Sequence, residues 1–250
     1  MKRIILTGLL MVSVTGFHSC TEDEFLEPTT VDLKIKMVNT KPFKDLPEQA
    51  NKQIIEFGGG NLQLSGIEFD GKRENNDNHY FFREFENTLV ANLSNDSLNQ
   101  TVSFDIPKGS YNVIQIKLHT NGIDSIPGLT FRGKWKKQRG RPGGNNQGQE
   151  EIPVELNFFK DYEESIELTL NTEAGVGKEQ IVFDGDNWNT LEIRVNLASI
   201  FRNLNPGKFN GAQMIQQGNK QKIIISAHHN TDMYYSLVNR VERSIKAVIK

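Results

Sequence analysis

The segment VDLKIKMV, residues 31–38, decides the fold class, because its apolar and polar residues alternate from Val31 to Met37. This alternation has the period of a β-strand, in which successive side chains point to opposite faces of the sheet. It predicts an antiparallel strand that buries Val31, Leu33, Ile35 and Met37 and leaves its other face in water.

The same alternation recurs along the chain. The further segments that show it are 61–71, 101–107, 110–119, 129–137, 152–159, 165–171 and 190–200. Within 61–71 the apolar phase shifts between Leu64 and Ile67, which predicts a β-bulge at Ser65 and Gly66. Short alternating segments separated by turn residues, without long amphipathic helices between them, predict a mostly β protein built as an antiparallel β-sandwich.

The C-terminal region follows a different period. Tyr234, Leu237, Val238 and Val241 lie at i, i+3, i+4 and i+7, the spacing of an amphipathic helix. We therefore predict a C-terminal α-helix over about 229–246, and a shorter helical piece near 198–204 or 207–217. Thr231 is the predicted N-cap of the C-terminal helix.

The N-terminus has the organisation of a lipoprotein signal. Two basic residues are followed by the apolar run 4–17, which is shorter than the ~20 residues needed to span a bilayer. Ser19 then precedes Cys20, the single cysteine of the chain. This arrangement resembles a lipobox, which implies a signal peptide at 1–19 and lipidation of Cys20. The alternative is a secreted protein with an incidental cysteine near its cleavage site.

An acidic cluster follows that cysteine. Glu22, Asp23 and Glu24 resemble the surface-export signal of Bacteroidota-type lipoproteins. The resemblance implies an outer-membrane lipoprotein exposed at the cell surface, with residues 20–30 as an acidic tether and 31–250 as the β-sandwich-like domain with its C-terminal helix. The alternative is a solvated polar tether without an address.

Three segments resemble bacterial lipoproteins that carry domain of unknown function 4382. They are LQLSGIEFDG, FDIPKGSYNVIQIKLHTNG and GLTFRGKW followed by EEIPVELNF. In the family's turn motif, the chain supplies 106–111 and Ile114, and Gly109 is predicted to take a positive φ. The resemblance implies an exported immunoglobulin-like or transthyretin-like sandwich. It implies no activity and no catalytic residue.

Motifs of catalysis and of cofactor binding are weak or missing in the sequence. The segments 57–61, FGGGN, and 183–188, FDGDNW, lack the patterns of a phosphate loop and of a calcium loop respectively. His228, His229 and Asp232 are interpreted as a turn before the helix rather than a metal site. We predict a non-enzymatic protein with no metal and no cofactor. A secreted glycan-acting hydrolase remains the alternative, because its two carboxylates can come from any strand.

The strongest binding motif is the basic stretch 133–149, which places cations around Trp135. Its predicted polyanion-binding residues are Lys134, Lys136, Lys137, Arg139 and Arg141. An acidic glycan or a lipopolysaccharide phosphate fits this motif at a cell surface. The alternative is a hairpin of strands 129–136 and 152–158 in which Trp135 belongs to the core.

The remaining predictions concern modification and partners. Ser97 and Ser125 lie in Asp-Ser-apolar triplets that resemble Bacteroidota-type O-glycosylation sites. The net charge of −2 gives no general attraction to nucleic acid. The expected partners are the membrane, through the lipid anchor, and a glycan or an envelope protein. The oligomeric state is left open, and an adhesin or fibre subunit is a further alternative that predicts an exposed strand edge.

Overall fold

Strands dominate the structure, which is a computed structural model that describes residues 28–38, 54–73, 78–120, 126–138, 149–158, 165–171, 181–183, 189–201, 204 and 206–250. The strands are β1 (Pro28–Val38), β2 (Ile54–Arg73), β3 (Asn78–Asn92), β4 (Ser97–Leu98), β5 (Ser103–Pro107), β6 (Gly109–Thr120), β7 (Leu129–Gln138), β8 (Gln149–Phe158), β9 (Ser165–Asn171), β10 (Ile181–Phe183), β11 (Asn189–Asn196), β12 (Met214–Gln217), β13 (Lys220–Ile225) and β14 (Ile245–Ile249). The helical elements are α1 (Leu197–Phe201), a 3₁₀ helix (Pro206–Gly211) and α2 (Thr231–Ser244). The predicted mostly β class is confirmed.

Within the described ranges the strands form two sheets. One has four strands in the order β14-β11-β1-β5, and the other has ten strands arranged around β2. Most neighbours are antiparallel, as predicted, but β1 pairs with β11 and β13 pairs with β8 in parallel. Both parallel pairs join strands that are far apart in sequence, as the long connection between parallel strands requires.

The ten-stranded sheet is organised along the 20 residues of β2. The first part of β2 pairs with β7, and the second part pairs with β6 on the same side. On the sides of β7 and β6 that face away from β2, β8 pairs with β7, and β9 and β10 both pair with β6. The pairing of β2 shifts register between Leu64 and Gly66, where the strand passes from one partner to the other. This shift confirms the predicted bulge.

The buried hydrophobic residues form one core, to which both sheets and the helical segments contribute. The predicted inward residues Val31, Leu33 and Ile35 are buried, and Met37 is partly buried against the core. The four-stranded sheet contacts the ten-stranded sheet where β14 approaches β9 and where β1 approaches β4 and β3, whereas the helical segments cover the β7 and β8 side. Three aromatic pairs join the helical segments to the sheet: Phe57 with Phe201, Trp135 with Phe209, and Phe158 with Tyr234.

The turn before β6 matches its prediction. Gly109 has a φ of 133°, in a region that side chains with a Cβ rarely adopt. Two residues later Tyr111 is fully buried, and its hydroxyl donates a hydrogen bond to the Pro107 carbonyl at 2.8 Å. Burial raises the pKa of Tyr111 to about 12. The turn therefore carries the chain into β6 and closes with a buried tyrosine.

The predicted C-terminal helix is confirmed, and each of its ends lies two residues inside the predicted span of about 229–246. Helix α2 spans Thr231–Ser244, and Ile245–Ile249 forms β14, which pairs with β11. The N-cap is Asn230 rather than Thr231. Asn230 has a left-handed φ of 51°, and its side chain bonds backbone groups of Gln213 and Ile224 instead of the first helical turn. Its role is therefore to join β13 to the helix.

Two other boundaries differ from the sequence expectation. The strand β1 begins at Pro28, three residues inside the predicted tether, and Thr29 is already buried. The predicted helical piece near 198–204 or 207–217 corresponds to two short elements, α1 and the 3₁₀ helix. Residues 214–217 form the strand β12 instead. In both cases pairing with a neighbouring strand extends β structure into a segment whose own residues do not show it.

Candidate functional site

An aromatic and acidic surface covers the outer face of the ten-stranded sheet where β3, β2, β6 and β9 run side by side. Because alternate residues share a face, the strand register places two rows of side chains next to each other. The first row is Phe82, Glu68, Lys117 and Glu167, and the second row is Tyr80, Asp70, Gln115 and Thr169. We call these eight residues, together with His119, the outer-face site.

Two aromatic rings form one side of the outer-face site. Tyr80 is 59% exposed and Phe82 is 51% exposed. They are two residues apart on one strand, so their Cα atoms lie about 7 Å apart on the same face. Contiguous exposed apolar surface marks a site that meets a ligand or a partner, whereas single exposed apolar residues need no such explanation.

The position of Phe82 follows from the bulge in β2. Gly66 has no side chain on this face, and a Cβ there would lie 2.9 Å from Cε2 of Phe82. The imidazole of His119 meets the Phe82 ring edge-on, with 5.3 Å between ring centroids. His119 is fixed in turn by Glu68, with 2.6 Å between Nε2 and Oε1. The bulge, the histidine and the carboxylate together hold the ring in place.

The polar half of the site is acidic. Glu68, Asp70 and Glu167 surround Lys117 at the floor of the surface. Partial desolvation, followed by the charge and hydrogen bond of Glu68 and the charge of Asp70, raises the pKa of the Tyr80 phenol. A phenol keeps its proton at neutral pH, so Tyr80 is a hydrogen-bond donor beside two acceptors.

Tyr80 and the polar residues of the two rows line an open depression of about 240 Å³, and Phe82 and His119 lie outside its lining. This volume lies below the ~300–1,000 Å³ typical of enclosed small-molecule pockets. The arrangement offers flat aromatic faces next to carboxylate, amide, ammonium and hydroxyl groups. Chemically, it is suited to a ring-shaped ligand that has an apolar face and several hydroxyl groups at its edge.

The structure describes only part of the basic stretch 133–149. Lys134 Nζ lies 2.8 Å from a carboxylate oxygen of Glu151, and Lys136 Nζ lies 2.8 Å from one of Glu56. Trp135 is fully buried, so the predicted hairpin with Trp135 in the core is confirmed. Lys137 lies on β7, whereas Arg139 and Arg141 lie outside the described residues. Polyanion binding by these five residues stays a prediction.

The predicted modification and export residues are mostly outside the described part of the chain. Those outside it are Cys20, Glu22, Asp23, Glu24 and Ser125. Ser97 is exposed at the start of β4, and its hydroxyl donates to Oδ1 of Asn95 at 2.6 Å. Lipidation, export and O-glycosylation therefore stay predictions.

The segments that were considered as metal or phosphate motifs form a turn and part of a strand where the structure describes them. Both His228 and His229 donate their backbone N–H to Oγ of Ser226, at 3.2 and 3.1 Å, in the predicted turn before α2. The glycine run 57–61 lies within β2, and residues 184–188 lie outside the described ranges. Across those ranges, no three His, Cys, Asp or Glu side chains gather closely enough to hold a metal ion. No helix in this part of the chain has the length and apolar character needed to cross a bilayer.

No protein-family model, curated protein or solved structure matches the chain. The resemblance to domain of unknown function 4382 therefore stays a prediction. The outer-face site was not singled out by sequence motifs. One signal was present: Tyr80, Phe81 and Phe82 are three successive aromatics, which cannot all face inward from a strand, so at least one must be exposed.

Proposed function

We propose that this protein is a non-enzymatic, lipid-anchored binding protein of the cell envelope, and that its β-sandwich domain binds a glycan at the outer-face site. The observation that carries the proposal is the pair of exposed rings, Tyr80 and Phe82, beside a row of polar side chains. A sugar ring presents an apolar C–H face and an edge of hydroxyl groups, and these two halves match the two halves of the site.

The Phe82 ring is held in position before a ligand binds. Phe82 is held by Gly66 and His119, so little side-chain freedom is lost when a ligand covers it. The carboxylates of Asp70 and Glu167 accept hydrogen bonds from hydroxyl groups, and Gln115 and Thr169 supply donors. The surplus of carboxylates over Lys117 favours a neutral or amino sugar over an acidic one.

Glycan-array screening followed by calorimetry tests this proposal. The double variant Tyr80→Ala/Phe82→Ala removes both rings, and we expect it to weaken binding of an array hit by about tenfold or more per ring. The matched control is Tyr235→Ala, which removes an equally exposed ring (64%) from α2. Equal affinity of the wild type and the double variant would refute the assignment.

The envelope location is proposed from Cys20 and the acids Glu22, Asp23 and Glu24. Burial of acyl methylene groups contributes about 0.8 kcal/mol each, and a single chain holds a protein only marginally. Several chains on Cys20 would anchor the domain at the outer membrane, and the acidic cluster would direct it to the cell surface. Metabolic labelling with palmitate tests the anchor: label retained by Cys20→Ala would contradict it.

One observation favours a glycan-acting hydrolase as a second candidate. Glu68 and Glu167 lie two strands apart, so their backbones are separated by about 9.5 Å. Inverting glycosidases place their carboxyl groups at about 6.5–9.5 Å. The depression is open, however, and catalysis gains from excluding water. Hydrolysis is tested by the release of reducing sugar from an array hit. Release by the wild type but not by Glu68→Gln would show that the site is hydrolytic rather than a binding site alone.

The outer edge of β3 favours a third candidate, a subunit of a surface fibre. Among the described residues, β3 pairs on its outer side with β4 alone, at Ala91 and Asn92. A free edge such as 78–86 is able to accept a strand from another protein. Concentration-dependent assembly in size-exclusion chromatography that is abolished by Phe82→Pro would support this role.

A further inference from the structure

The outer face of the four-stranded sheet carries a cluster of cations on β1, β11 and the C-terminal strand β14 with the residue that follows it. Its members are Lys34, Lys36, Arg194, Lys246 and Lys250. Lys36 lies opposite Arg194, which lies opposite Lys246, and Lys34 lies opposite Glu192. Because these residues alternate with the buried core positions, all five belong to the solvent side. We call them the basic face.

One carboxylate lies at the centre of the basic face. Glu192 is bound by Lys36 at 3.0 Å, by Arg194 at 2.5 Å and by Lys250 at 2.9 Å. One glutamate balances one of these three positive charges. The cluster is therefore a positive surface rather than a neutral network.

The remaining cations add to this surplus. Lys34 and Lys246 are exposed, and neither forms a salt bridge with a carboxylate among the described residues. The other acids on this face are Asp32, bonded to Ser103, and Asp105, bonded to Thr30, at the end of the sheet towards Pro28. Most of the positive charge therefore lies away from this end, at Lys34, Lys36, Arg194 and Lys246, whereas Lys250 lies in the row of Asp32.

The shape of the face restricts its partner. It is an open sheet surface, and the exposed large hydrophobic residues of the described chain (Tyr80, Phe82, Ile126, Val182 and Tyr235) lie elsewhere. Four of the five cations are lysines, which are flexible point charges rather than planar forks for one specific anion. Such a surface fits an extended array of negative charges.

The position of the face relative to Cys20 indicates which array it meets. The strand β1 begins at Pro28, eight residues after Cys20. A segment of that length spans at most about 28 Å when fully extended. An anchor at Cys20 therefore keeps this sheet close to the lipid headgroups, and the basic face must outweigh the four acids between Cys20 and Pro28. Juxtamembrane basic residues are attracted to anionic lipid, and each lysine or arginine near the surface strengthens binding about fivefold.

We propose that the basic face docks on anionic, phosphate-bearing lipid headgroups and so orients the domain on the membrane. The proposal rests on the lipid anchor of the proposed function for its cellular meaning, but the docking itself is independent of lipidation. Docking this face leaves the outer-face site, on the other sheet, available to a glycan.

Vesicle co-sedimentation tests the proposal on residues 20–250 carrying Cys20→Ala, which lack the acylation site and the predicted signal peptide, whose basic residues and apolar run would themselves bind vesicles. Vesicles of phosphatidylcholine are compared with vesicles that also contain phosphatidylglycerol. We expect the anionic vesicles to bind more protein, and the double variant Lys34→Gln/Lys246→Gln to bind them about 25-fold less, at about fivefold for each lysine. Added salt should reduce binding because it screens exposed charges.

The matched control is Lys208→Gln/Lys220→Gln, which removes the same charge from exposed positions outside the basic face. It should bind like the parent chain. Equal losses in both double variants would show a general charge effect and overturn the docking face. Binding to a soluble polyphosphate without binding to anionic vesicles would also overturn it. Failure of palmitate labelling, by contrast, would affect only the anchor.

Discussion

Glu192 offers a quantitative test of how the four-stranded sheet is held together. Its side chain is 6% exposed and is surrounded by the charged groups of Lys36, Arg194 and Lys250. Burial alone raises the pKa of a carboxyl group. Hydrogen bonds from these three cations outweigh burial and lower the pKa of Glu192 to about 2. The substitution Glu192→Gln keeps the size of the side chain and removes its charge.

The size of the effect follows from the pKa, which falls from 4.5 to about 2 on folding. Each pKa unit is worth about 1.4 kcal/mol, so the whole fall corresponds to about 3.5 kcal/mol. The side chains of the three cations remain 33%, 35% and 49% exposed, so water weakens the attraction. We therefore expect Glu192→Gln to lower the free energy of unfolding at pH 7 by about 1–2 kcal/mol.

The pH dependence gives this prediction its sign. The pKa of Glu192 is lower in the folded protein than in the unfolded chain. Its contribution to stability is therefore complete above pH 4.5 and is lost as the pH falls through about 2. The wild type and Glu192→Gln should thus differ in stability at pH 7 and converge towards pH 2.

Urea denaturation followed by circular dichroism at a series of pH values measures this difference. The control is Glu86→Gln, at an exposed position on β3. Such a surface substitution should change the free energy of unfolding by about 0.5 kcal/mol or less. A Glu192→Gln variant as stable as the wild type at pH 7, or a difference that does not change with pH, would refute the reasoning.

Two substitutions test the turn and the helical cover. Gly109→Ala places a Cβ at a φ of 133°. It should cost about 1–3 kcal/mol of unfolding free energy, whereas Gly211→Ala, where a Cβ has open space, should be nearly neutral. Phe201→Ala removes a ring stacked on Phe57 at 4.1 Å. It should cost about 3–5 kcal/mol, against little change for the exposed Tyr235→Ala. Both comparisons are made from urea midpoints, and equal midpoints within either pair would contradict its premise.

Local sequence signals were sufficient to predict those features whose conformation depends on a few neighbouring residues. The alternation around Leu33, the phase shift next to Gly66 and the glycine turn at Gly109 each depend on a few neighbouring residues. The structure confirms all three. The end of the C-terminal helix was ambiguous, because Ile245 continues the helical stripe from Val241 and also begins an alternating segment. Pairing of β14 with β11 decides between the two periods.

The outer-face site and the basic face could not be predicted in the same way, because each is assembled from separate strands. Tyr80 meets Asp70 only through the register of β3 on β2, and a slip of one residue would turn every side chain to the other face. Likewise Lys36 and Lys246 become neighbours of Arg194 through a parallel and an antiparallel pairing with β11. Sequence patterns indicate which residues face outward, but not which outward residues meet.

A crystal structure of the protein with a glycan from the array screen shows directly whether the outer-face site binds sugar. We expect a sugar ring to lie against Tyr80 and Phe82, with its hydroxyl groups on Asp70, Gln115 or Thr169. A sugar bound elsewhere, with the two rings left exposed to solvent, would contradict the assignment of the outer-face site.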